Sequence, residues 1–513
     1  MLFNSLGRVP KLAIFVALAL TIVIAIHITS FPRLSQWKLP ILGDQKPHIP
    51  TTSPEDASQE SPQKASEEPS PDSTHGSPLP THSPSPPYHQ APVGGNESSI
   101  PCQALKGAED VLVVMRTGAT EIKDKLPAHL NTTFQCYPHL VIFSDFAENF
   151  HGHEVYDVLR DIPDEIKSDN EDFKHYLHVQ EAGRQNLNDD ELSGKVSAES
   201  GPIGKNDNAG WRLDKWKFLP MINRTLEMYP DKKWYVFVEP DTYLVWSNLL
   251  QWIPKLKADK PLYYGSEVMI GDDVFAHGGS AFVMSKPAME KGAEIYNEKA
   301  TEWHDFTAGH WAGDCVLGRA LHDAGVELSW SWPQFQGGNP SFSMGWTDHK
   351  TDHNLWCTPA ISYHHFTPAE VRDFWQFEQS WIRSILAKEK QHRERGLPFR
   401  LWGDDMSNVL HHRDTFKLYV MPNITQERNH WNNTPEVPSP DSQGITLEDC
   451  KERCEENDDC LQYALGPDGC STGMEPRMGQ EDETTTAGWM PERIKEWVKD
   501  LDHCWNKDGW AVT

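Results

Sequence analysis

The chain has 513 residues, more than a single hydrophobic core usually accommodates, so several structural parts are expected. Its formal net charge is −28 at pH 7, and no stripe of lysine and arginine interleaved with aromatic residues offsets that charge. Because so acidic a chain repels phosphate backbones, the composition argues against a nucleic-acid partner.

The N-terminal segment predicts a membrane anchor. Residues 12–29 are almost wholly apolar and about as many as a helix needs to cross a bilayer. The alternative is a cleaved signal peptide, which has a shorter apolar core and a cleavage site of small residues. We expect a cytoplasmic tail over 1–11, a single-pass signal anchor over 12–29, and a type II topology that leaves the rest of the chain in the lumen.

Two further features agree with an oxidising secretory lumen. The chain has nine cysteines, and five of them crowd the C-terminal segment, which favours a small disulfide-bonded module over a zinc or redox site. The odd number leaves one cysteine unpaired or bridging two chains. N-x-S/T glycosylation motifs, which also arise by chance, occur at Asn96, Asn131, Asn223, Asn423 and Asn432.

A stem is predicted after the anchor. Residues 30–101 are dominated by Pro, Ser, Thr, Glu and His, and they include too few apolar side chains to bury a core. We expect this segment to be disordered and to hold the next domain away from the membrane.

Residues 102–392 alternate short apolar runs with helical stretches, the pattern of an α/β domain with a mostly parallel sheet. Within them, the segment 163–208 is polar and rich in Gly, Asp and Asn, so it predicts an irregular insertion. The predicted strands are 111–115, 140–144, 234–238, 262–265 and 280–284. The predicted helices are 211–228, 247–257, 287–297 and 315–324.

The C-terminal part is predicted as a linker over 393–443 and a cysteine-rich α+β module over 444–513. The linker has no clear periodicity, and the module pairs a short helix with a strand flanked by cysteines. The spacing C-x3-C-x5-C-x9-C resembles a PAN/Apple-type module, a class that binds protein or carbohydrate. The alternative is a disulfide-stabilised tail without a ligand.

The acidic triplet Glu239-Pro240-Asp241 directly follows the strand predicted at 234–238. Ligands of open α/β sheets bind beyond the carboxyl ends of the strands, so both carboxylates are expected to line a cleft. Carboxylates suit hard cations such as Mn²⁺ or Mg²⁺, which neutralise a diphosphate. An ordinary Pro-Asp turn explains the triplet equally well.

Four motifs, in this order, resemble the Fringe and core-1 galactosyltransferase family of β-1,3-glycosyltransferases, glycosyltransferase family 31. The resemblance spans 108–380 and implies a GT-A-type, Rossmann-like fold, a UDP-sugar donor and a Golgi location. The motifs are EPDTY at 239–243, HGGSAFVMSK at 277–286, GDCVLG at 313–318 and AISYH at 360–364.

The resemblance also implies roles for individual residues. Asp241 and His364 would ligate Mn²⁺ or Mg²⁺, and Glu239 would lie near the ribose, where the family usually has the shorter Asp. Asp314 would be the general base that takes the proton of the acceptor hydroxyl. For Asp314 the alternative is a helix N-cap with no chemical role.

Further donor-binding residues are predicted around the strand ends. Thr117 and Asp145 follow the first two predicted strands. Lys215 resembles a family lysine that approaches a phosphate, although a solvated helix face is the alternative. Gly278 and Gly279 allow the backbone to approach a ligand closely, or they form only a turn.

The sequence does not decide two further features near these motifs, a disulfide and the role of three tryptophans. A disulfide between Cys315 and Cys357 would fix Asp314 relative to His364. Trp303, Trp311 and Trp346 include candidates for stacking on sugar rings, but tryptophans in such numbers are more often core residues.

We therefore predict an inverting, metal-dependent hexosyltransferase that moves a sugar from a UDP-sugar to a hydroxyl of a glycan or glycoprotein. The alternative is an inactive transferase-like protein that binds glycans, for which Glu239 in place of Asp is the supporting feature. A metal-dependent hydrolase built on the segment 151–154, HGHE, is set aside because the chain has no H-E-x-x-H spacing.

Overall fold

The computed structural model describes residues 100–188, 191–193, 208–350, 353–396, 406–438, 444–504 and 509–512. The predicted tail, the predicted anchor and residues 30–99 of the predicted stem lie outside these ranges, as does Asn96. No helix within the described ranges is both long and apolar enough to cross a membrane.

Short runs of strands and short runs of helices follow one another along the described chain. In chain order the strands are β1 Val111–Arg116, β2 Leu140–Ser144, β3 Glu148–Phe150, β4 His153–Asp157, β5 Trp234–Val238, β6 Tyr243–Leu244, β7 Tyr263–Gly265, β8 Glu267–Ile270, β9 Asp273–Ala276, β10 Phe282–Ser285, β11 Leu328–Trp330, β12 His349–Lys350, β13 His353–Asn354, β14 Ser362–Tyr363, β15 Arg428–Asn432, β16 Val437–Pro438, β17 Gln462–Gly466, β18 Gly469–Gly473 and β19 Gln480–Trp489. The α-helices are α1 Ile122–Lys125, α2 Pro127–Leu130, α3 Asp164–Asp169, α4 Phe173–Ala182, α5 Ala209–Asp214, α6 Phe218–Met228, α7 Trp246–Trp252, α8 Lys286–Glu298, α9 Ala300–Gly309, α10 Gly313–Asp323, α11 Pro368–Glu394, α12 His412–Thr415, α13 Leu447–Glu455 and α14 Pro491–Leu501.

The central sheet has eight strands in the order β11-β7-β10-β5-β1-β2-β4-β3. All of them are parallel except β10 and β3, which run antiparallel to their neighbours. The predicted mostly parallel α/β sheet is therefore confirmed. Two-stranded pairs β8-β9, β12-β13 and β6-β14 lie outside it.

Helices cover both faces of this sheet, which explains why its central strands are apolar throughout. Every residue of β1 and β5 is buried, as expected for strands covered on both sides. Leu112 and Val114 of β1 pack in one core with side chains of α6, α8 and α10. Val111 and Val113 face the other way and pack with α7 and α11, following the alternation of a strand.

The prediction of an irregular insertion over 163–208 is wrong for its first half. Helices α3 and α4 lie there, and α4 buries Phe173, Tyr176 and Val179. These side chains recur at a spacing of three residues, which places them on one helix face. The polar residues between them masked this helical period in the sequence.

The segment 393–443, predicted as a linker because it lacks a clear periodicity, contains regular secondary structure. The helix α11 continues to Glu394, and α12, β15 and β16 lie farther along. Strands β15 and β16 belong to the C-terminal sheet, whose order is β15-β19-β17-β18-β16. The predicted short helix and strand of the C-terminal module are present as α13 and β17, so the module is α+β.

The C-terminal segment shares a hydrophobic core with the α/β part of the chain. Trp356 packs edge-on against Trp497 at 5.6 Å between ring centroids. Ile494 and Val498 of α14 lie in the same core as Phe374 of α11. The end of the chain is therefore held by apolar packing as well as by covalent bonds.

Four disulfides are present, Cys102–Cys136, Cys357–Cys504, Cys450–Cys470 and Cys454–Cys460. The proposed Cys315–Cys357 bond is wrong, because Cys357 pairs with Cys504. Cys315 is the unpaired cysteine that the odd number requires, and it is buried in α10.

Candidate functional site

The candidate site lies beyond the carboxyl ends of β1, β2 and β5. The triplet that contains Glu239 and Asp241 follows β5 directly, and β6 begins at Tyr243, with one residue between them. Strand β14 pairs antiparallel with β6, with Tyr363 opposite Tyr243. Because His364 follows Tyr363, this pairing brings the imidazole back to the triplet. The amide of Phe366 also donates to the carbonyl of Asp241 at 2.9 Å.

Asp241 and His364, which are buried, and His365, which is partly exposed, form a cluster of potential metal ligands. His364 Nε2 lies 3.3 Å from Asp241 Oδ1, and the ring of His365 stacks on that of His364 with centroids 3.9 Å apart. One ligand atom from each of the three residues lies within 4.8 Å of the other two. The sequence analysis missed His365, although it directly follows a predicted ligand.

The chemistry of this cluster fits a divalent cation. One carboxylate and two imidazoles make a mixed oxygen and nitrogen donor set, which can hold a first-row divalent cation. His364 Nδ1 is buried and has no hydrogen-bond partner among the described residues. A buried polar atom without a partner is costly, and coordination is one way to satisfy it.

The charges within the cluster are balanced by neighbouring cations. Burial opposes ionisation of Asp241, but Lys125 and His364 hold the pKa of that carboxyl well below its usual range. Lys125 Nζ lies 3.1 Å from Asp241 Oδ2. Burial would lower the pKa of His364, but Asp241 and Glu239 raise it to about 9. Burial and the adjacent His364 lower the pKa of His365 to about 4.

Glu239 is held by a buried arginine. Arg116, the last residue of β1, forms ion pairs with Glu239 and with Asp214, and its guanidinium lies over the ring of Phe218 at 4.1 Å. Burial works against ionisation of Glu239, but Arg116 and then His364 lower its pKa to about 2. Glu239 Oε2 lies 3.8 Å from His364 Nε2, so this carboxylate borders the cluster.

Gly278 and Gly279 lie in the tight turn before β10 and contact the site from the other side. A Cβ on Gly279 would lie 2.1 Å from Cε1 of His364. Neither glycine has a positive φ, so Gly279 is required by the closeness of the imidazole. The turn itself bends at Ala281, a residue with a φ of 64°.

Asp314 is joined to this turn by a hydrogen bond. The amide of Gly278 donates to Asp314 Oδ2 at 2.9 Å, and the amide of Cys315 donates to Oδ1 at 2.9 Å. The N-cap interpretation of Asp314 is wrong, because α10 begins at Gly313 and its N-cap residue is Ala312. Asp314 is a partly exposed residue of the first helical turn.

Thr117 and Asp145 lie together at the ends of β1 and β2, and both are buried. A buried lysine, Lys217, joins them: its Nζ donates to the Thr117 carbonyl at 2.8 Å and lies 3.8 Å from Asp145 Oδ1. Asp145 Oδ2 is buried without a hydrogen-bond partner in the described chain.

The side chain of Lys215 does not contact Thr117 or Asp145. Its ammonium lies 2.8 Å from Asp172 and donates to the carbonyl of His310 at 2.8 Å. The lysine beside Thr117 is Lys217, two positions farther along, which the sequence analysis did not select. A helical lysine at either position fits the pattern WRLDKWKF, so the motif alone did not distinguish them.

Trp303, Trp311 and Trp346, the candidates for stacking on a sugar ring, differ in their exposure to solvent. Trp303 and Trp346 are 6% and 0% exposed, whereas Trp311 is 55% exposed. Trp303 and Trp346 are therefore core residues, and Trp311 is a surface residue two positions before the start of α10.

No known protein family has a profile that matches the chain. Among solved structures, the chain is similar to the crystal structure of a glycosyltransferase involved in the glycosylation of the major capsid of PBCV-1. The two chains are 10% identical, and the match covers 52% of this chain and 99% of that chain at a TM-score of 0.22. A similarity of this size carries no argument about what this chain does.

Proposed function

We propose that the chain is an inverting, metal-dependent hexosyltransferase that moves a sugar from a UDP-sugar to a hydroxyl of a glycan or glycoprotein. The observation that carries this proposal is the convergence of Asp241 and His364, 3.3 Å apart, at the carboxyl edge of an α/β sheet. The motif resemblance to glycosyltransferase family 31 supports the same reaction, with β-1,3 as the linkage.

The proposed step is a single displacement. The acceptor oxygen forms a bond to the anomeric carbon of the donor, and the bond between that carbon and the phosphate oxygen breaks. UDP leaves with the electron pair, and Asp314 takes the proton of the acceptor hydroxyl. The hydrogen bond from the Gly278 amide to Asp314 Oδ2 fixes the carboxylate, which favours a constant position of the base.

Asp241, His364 and His365 would hold the cation. When bound, Mn²⁺ or Mg²⁺ supplies positive charge that stabilises the diphosphate leaving group. Lys125 adds a second positive charge beside Asp241.

The nucleotide would lie along the ends of β1, β2 and β5. Asp145 Oδ2, which is buried without a partner among the described residues, suits a donor such as the uracil N–H or a ribose hydroxyl. Glu239 suits a ribose hydroxyl through the oxygen that Arg116 does not occupy. Lys215 is not part of the proposed donor site, because its ammonium already contacts Asp172 and the His310 carbonyl.

The compartment is part of the proposal. Four disulfides agree with an oxidising lumen, and the apolar run at 12–29 would anchor the chain in the Golgi membrane as a type II protein. Of the described glycosylation motifs, Asn131 is exposed, and Asn223, Asn423 and Asn432 are partly exposed. A protein or glycan ligand of the C-terminal module belongs to the same proposal.

A second candidate function is glycan binding without turnover. Glu239 replaces the usual family Asp, and Arg116 engages it in an ion pair. A binding protein of this kind would release no UDP from UDP-sugars in the presence of Mn²⁺, which distinguishes the two functions.

The test is a screen of UDP-sugars with Mn²⁺ that compares the wild type with Asp241→Ala and Asp314→Asn. We expect Asp241→Ala to lose metal-dependent donor binding. Asp314→Asn should keep donor binding and lose transfer by at least about 100-fold, the usual contribution of a general base. If Asp241→Ala bound Mn²⁺ and donor as the wild type does, the proposed metal site would be wrong.

A further inference from the structure

We infer that Trp311, with Trp211 beside it, forms a stacking platform for a sugar ring of the acceptor. The inference rests on the proposed function and adds an acceptor subsite to it. The two indole rings lie nearly parallel, with an interplanar angle of 21° and 6.4 Å between their centroids. No part of the proposed donor site includes either ring.

The exposure of Trp311 calls for an explanation. Its side chain is 55% exposed, although an indole is among the largest apolar groups and gains most from burial. An indole face that stays in water offers a flat apolar surface on which a ligand ring can stack. Among the described residues, Trp330 on the edge strand β11 is the other strongly exposed tryptophan, at 62%.

The platform is held in place before any ligand arrives. His310 stacks on Phe306 at 5.7 Å and lies nearly parallel to Trp311 at 6.4 Å. Lys215 donates to the carbonyl of His310 at 2.8 Å, and Asp172 holds the Lys215 ammonium at 2.8 Å. A ring that is already ordered loses little conformational entropy on binding. Lys215 therefore has a positioning role, which it exerts through the carbonyl of His310.

The place of the platform favours the acceptor over the donor. Trp311 lies three residues before Asp314, the proposed base. The carboxylate of Asp314 accepts a hydrogen bond from the amide of Gly278, which lies in the turn that contacts the metal-ligand cluster. Since the base must touch the acceptor hydroxyl, the surface that adjoins Asp314 belongs to the acceptor. The diphosphate is assigned to Asp241 and His364 instead.

The flat apolar face of an indole suits a sugar ring as its ligand. A pyranose ring presents an apolar patch of C–H groups on one face, and that patch packs flat against an aromatic ring while the hydroxyls stay in water. A terminal hexose or hexosamine of a glycan fits this description. A nucleobase also stacks on indole, so the test must separate acceptor from donor.

The test uses steady-state transfer to a panel of benzyl glycosides of galactose, N-acetylgalactosamine, N-acetylglucosamine, fucose and mannose. We expect Trp311→Ala to raise the acceptor KM about tenfold, the equivalent of one lost stacking contact. Metal-dependent hydrolysis of the UDP-sugar without acceptor and the donor KM should stay within about twofold of wild type. The variant Trp311→Tyr, which keeps an aromatic face, should retain most of the acceptor affinity of the wild type.

Trp330→Ala is the matched control, because it removes an equally exposed indole from the edge strand. An unchanged acceptor KM in Trp311→Ala would overturn the platform while leaving the transferase proposal intact. A raised donor KM instead would assign the ring to the nucleobase, and an equal effect in Trp330→Ala would show a nonspecific loss. If the wild type released no UDP from any donor, the proposed function itself would fail.

Discussion

His364 and Asp241 lie 3.3 Å apart, Nε2 to Oδ1, although they are far apart in the chain. The short pair formed by β6 and β14 explains this contact, since His364 directly follows β14 and Asp241 lies two residues before β6. A two-stranded pair of two residues each is weak by itself. Gly279 and Thr242 add to it, because Thr242 Oγ1 donates to the Gly279 carbonyl at 2.8 Å.

Gly279→Ala tests the steric basis of the site. The new Cβ would lie 2.1 Å from Cε1 of His364, so the imidazole must leave its present position beside Asp241. We expect Mn²⁺ affinity to fall by about 10- to 100-fold, the range found for disturbed ligand support, as measured by isothermal titration calorimetry. Gly309→Ala is the control, because nothing lies within 4 Å of a Cβ there. Equal Mn²⁺ affinities for the two variants would contradict the prediction.

His365→Ala tests whether the second histidine is a ligand. Its ring lies against His364, and one of its nitrogens lies within 4.8 Å of the ligand atoms of Asp241 and His364. Loss of one ligand of three should weaken Mn²⁺ binding at least about tenfold, which electron paramagnetic resonance of Mn²⁺ would measure. His322→Ala, an exposed histidine of α10, should bind as the wild type does. Full Mn²⁺ affinity in His365→Ala would show that His365 only packs against His364.

Much of this site could be predicted from the sequence, because it follows apolar strands whose ends are marked by short motifs. The buried strands β1, β2 and β5 and the acidic triplet after β5 lie where they were predicted. His365 and Lys217 were missed for a physical reason: contact with the site depends on the direction of a side chain. A motif fixes position along the chain but not the direction of neighbouring side chains.

The errors outside the site have a related cause. Helix α4 carries a narrow apolar stripe within a polar sequence, so its period was hidden. Strand β15 is polar and only partly buried, and it becomes a strand by pairing with β19. Cys504 pairs with Cys357 across a separation of 147 residues. Pairings between distant segments leave no local pattern that a single sequence can reveal.

The Cys357–Cys504 bond predicts that the C-terminal segment stabilises the whole described fold. Its loop of 147 residues gives a loop-closure contribution of about 5 kcal/mol as an upper value. The Cys454–Cys460 loop of 6 residues contributes about 2 kcal/mol in the same treatment. We expect the double variant Cys357→Ser/Cys504→Ser to lose more unfolding free energy in urea than Cys454→Ser/Cys460→Ser. The reverse order would contradict this account.

We expect Cys315 to be the single free thiol of the protein and to be unreactive in the native state. The side chain is fully buried, and burial raises the pKa of its thiol to about 12. Since the thiolate is the reactive form, a maleimide should label no cysteine in native protein. One equivalent per chain should react in denaturant without reductant, and none in a denatured Cys315→Ala variant. A second reactive thiol in the denatured wild type would disprove the disulfide pattern.

We expect the buried His412 side chain to make the folded protein less stable in acid. Burial lowers its pKa to about 3, and the neutral ring contacts the Tyr363 hydroxyl at 2.9 Å and the Pro333 carbonyl at 2.8 Å. In the unfolded chain the pKa is near 6.5, so the stabilisation is complete above that pH and falls as pH drops from 6.5 toward 3. Between pH 7 and 5 the unfolding free energy should fall by about 2 kcal/mol from this group alone. His412→Gln lacks the titration, so urea denaturation at both pH values should show a smaller fall in the variant. Equal falls in the two proteins would mean that His412 protonates in the folded state as readily as in the unfolded state.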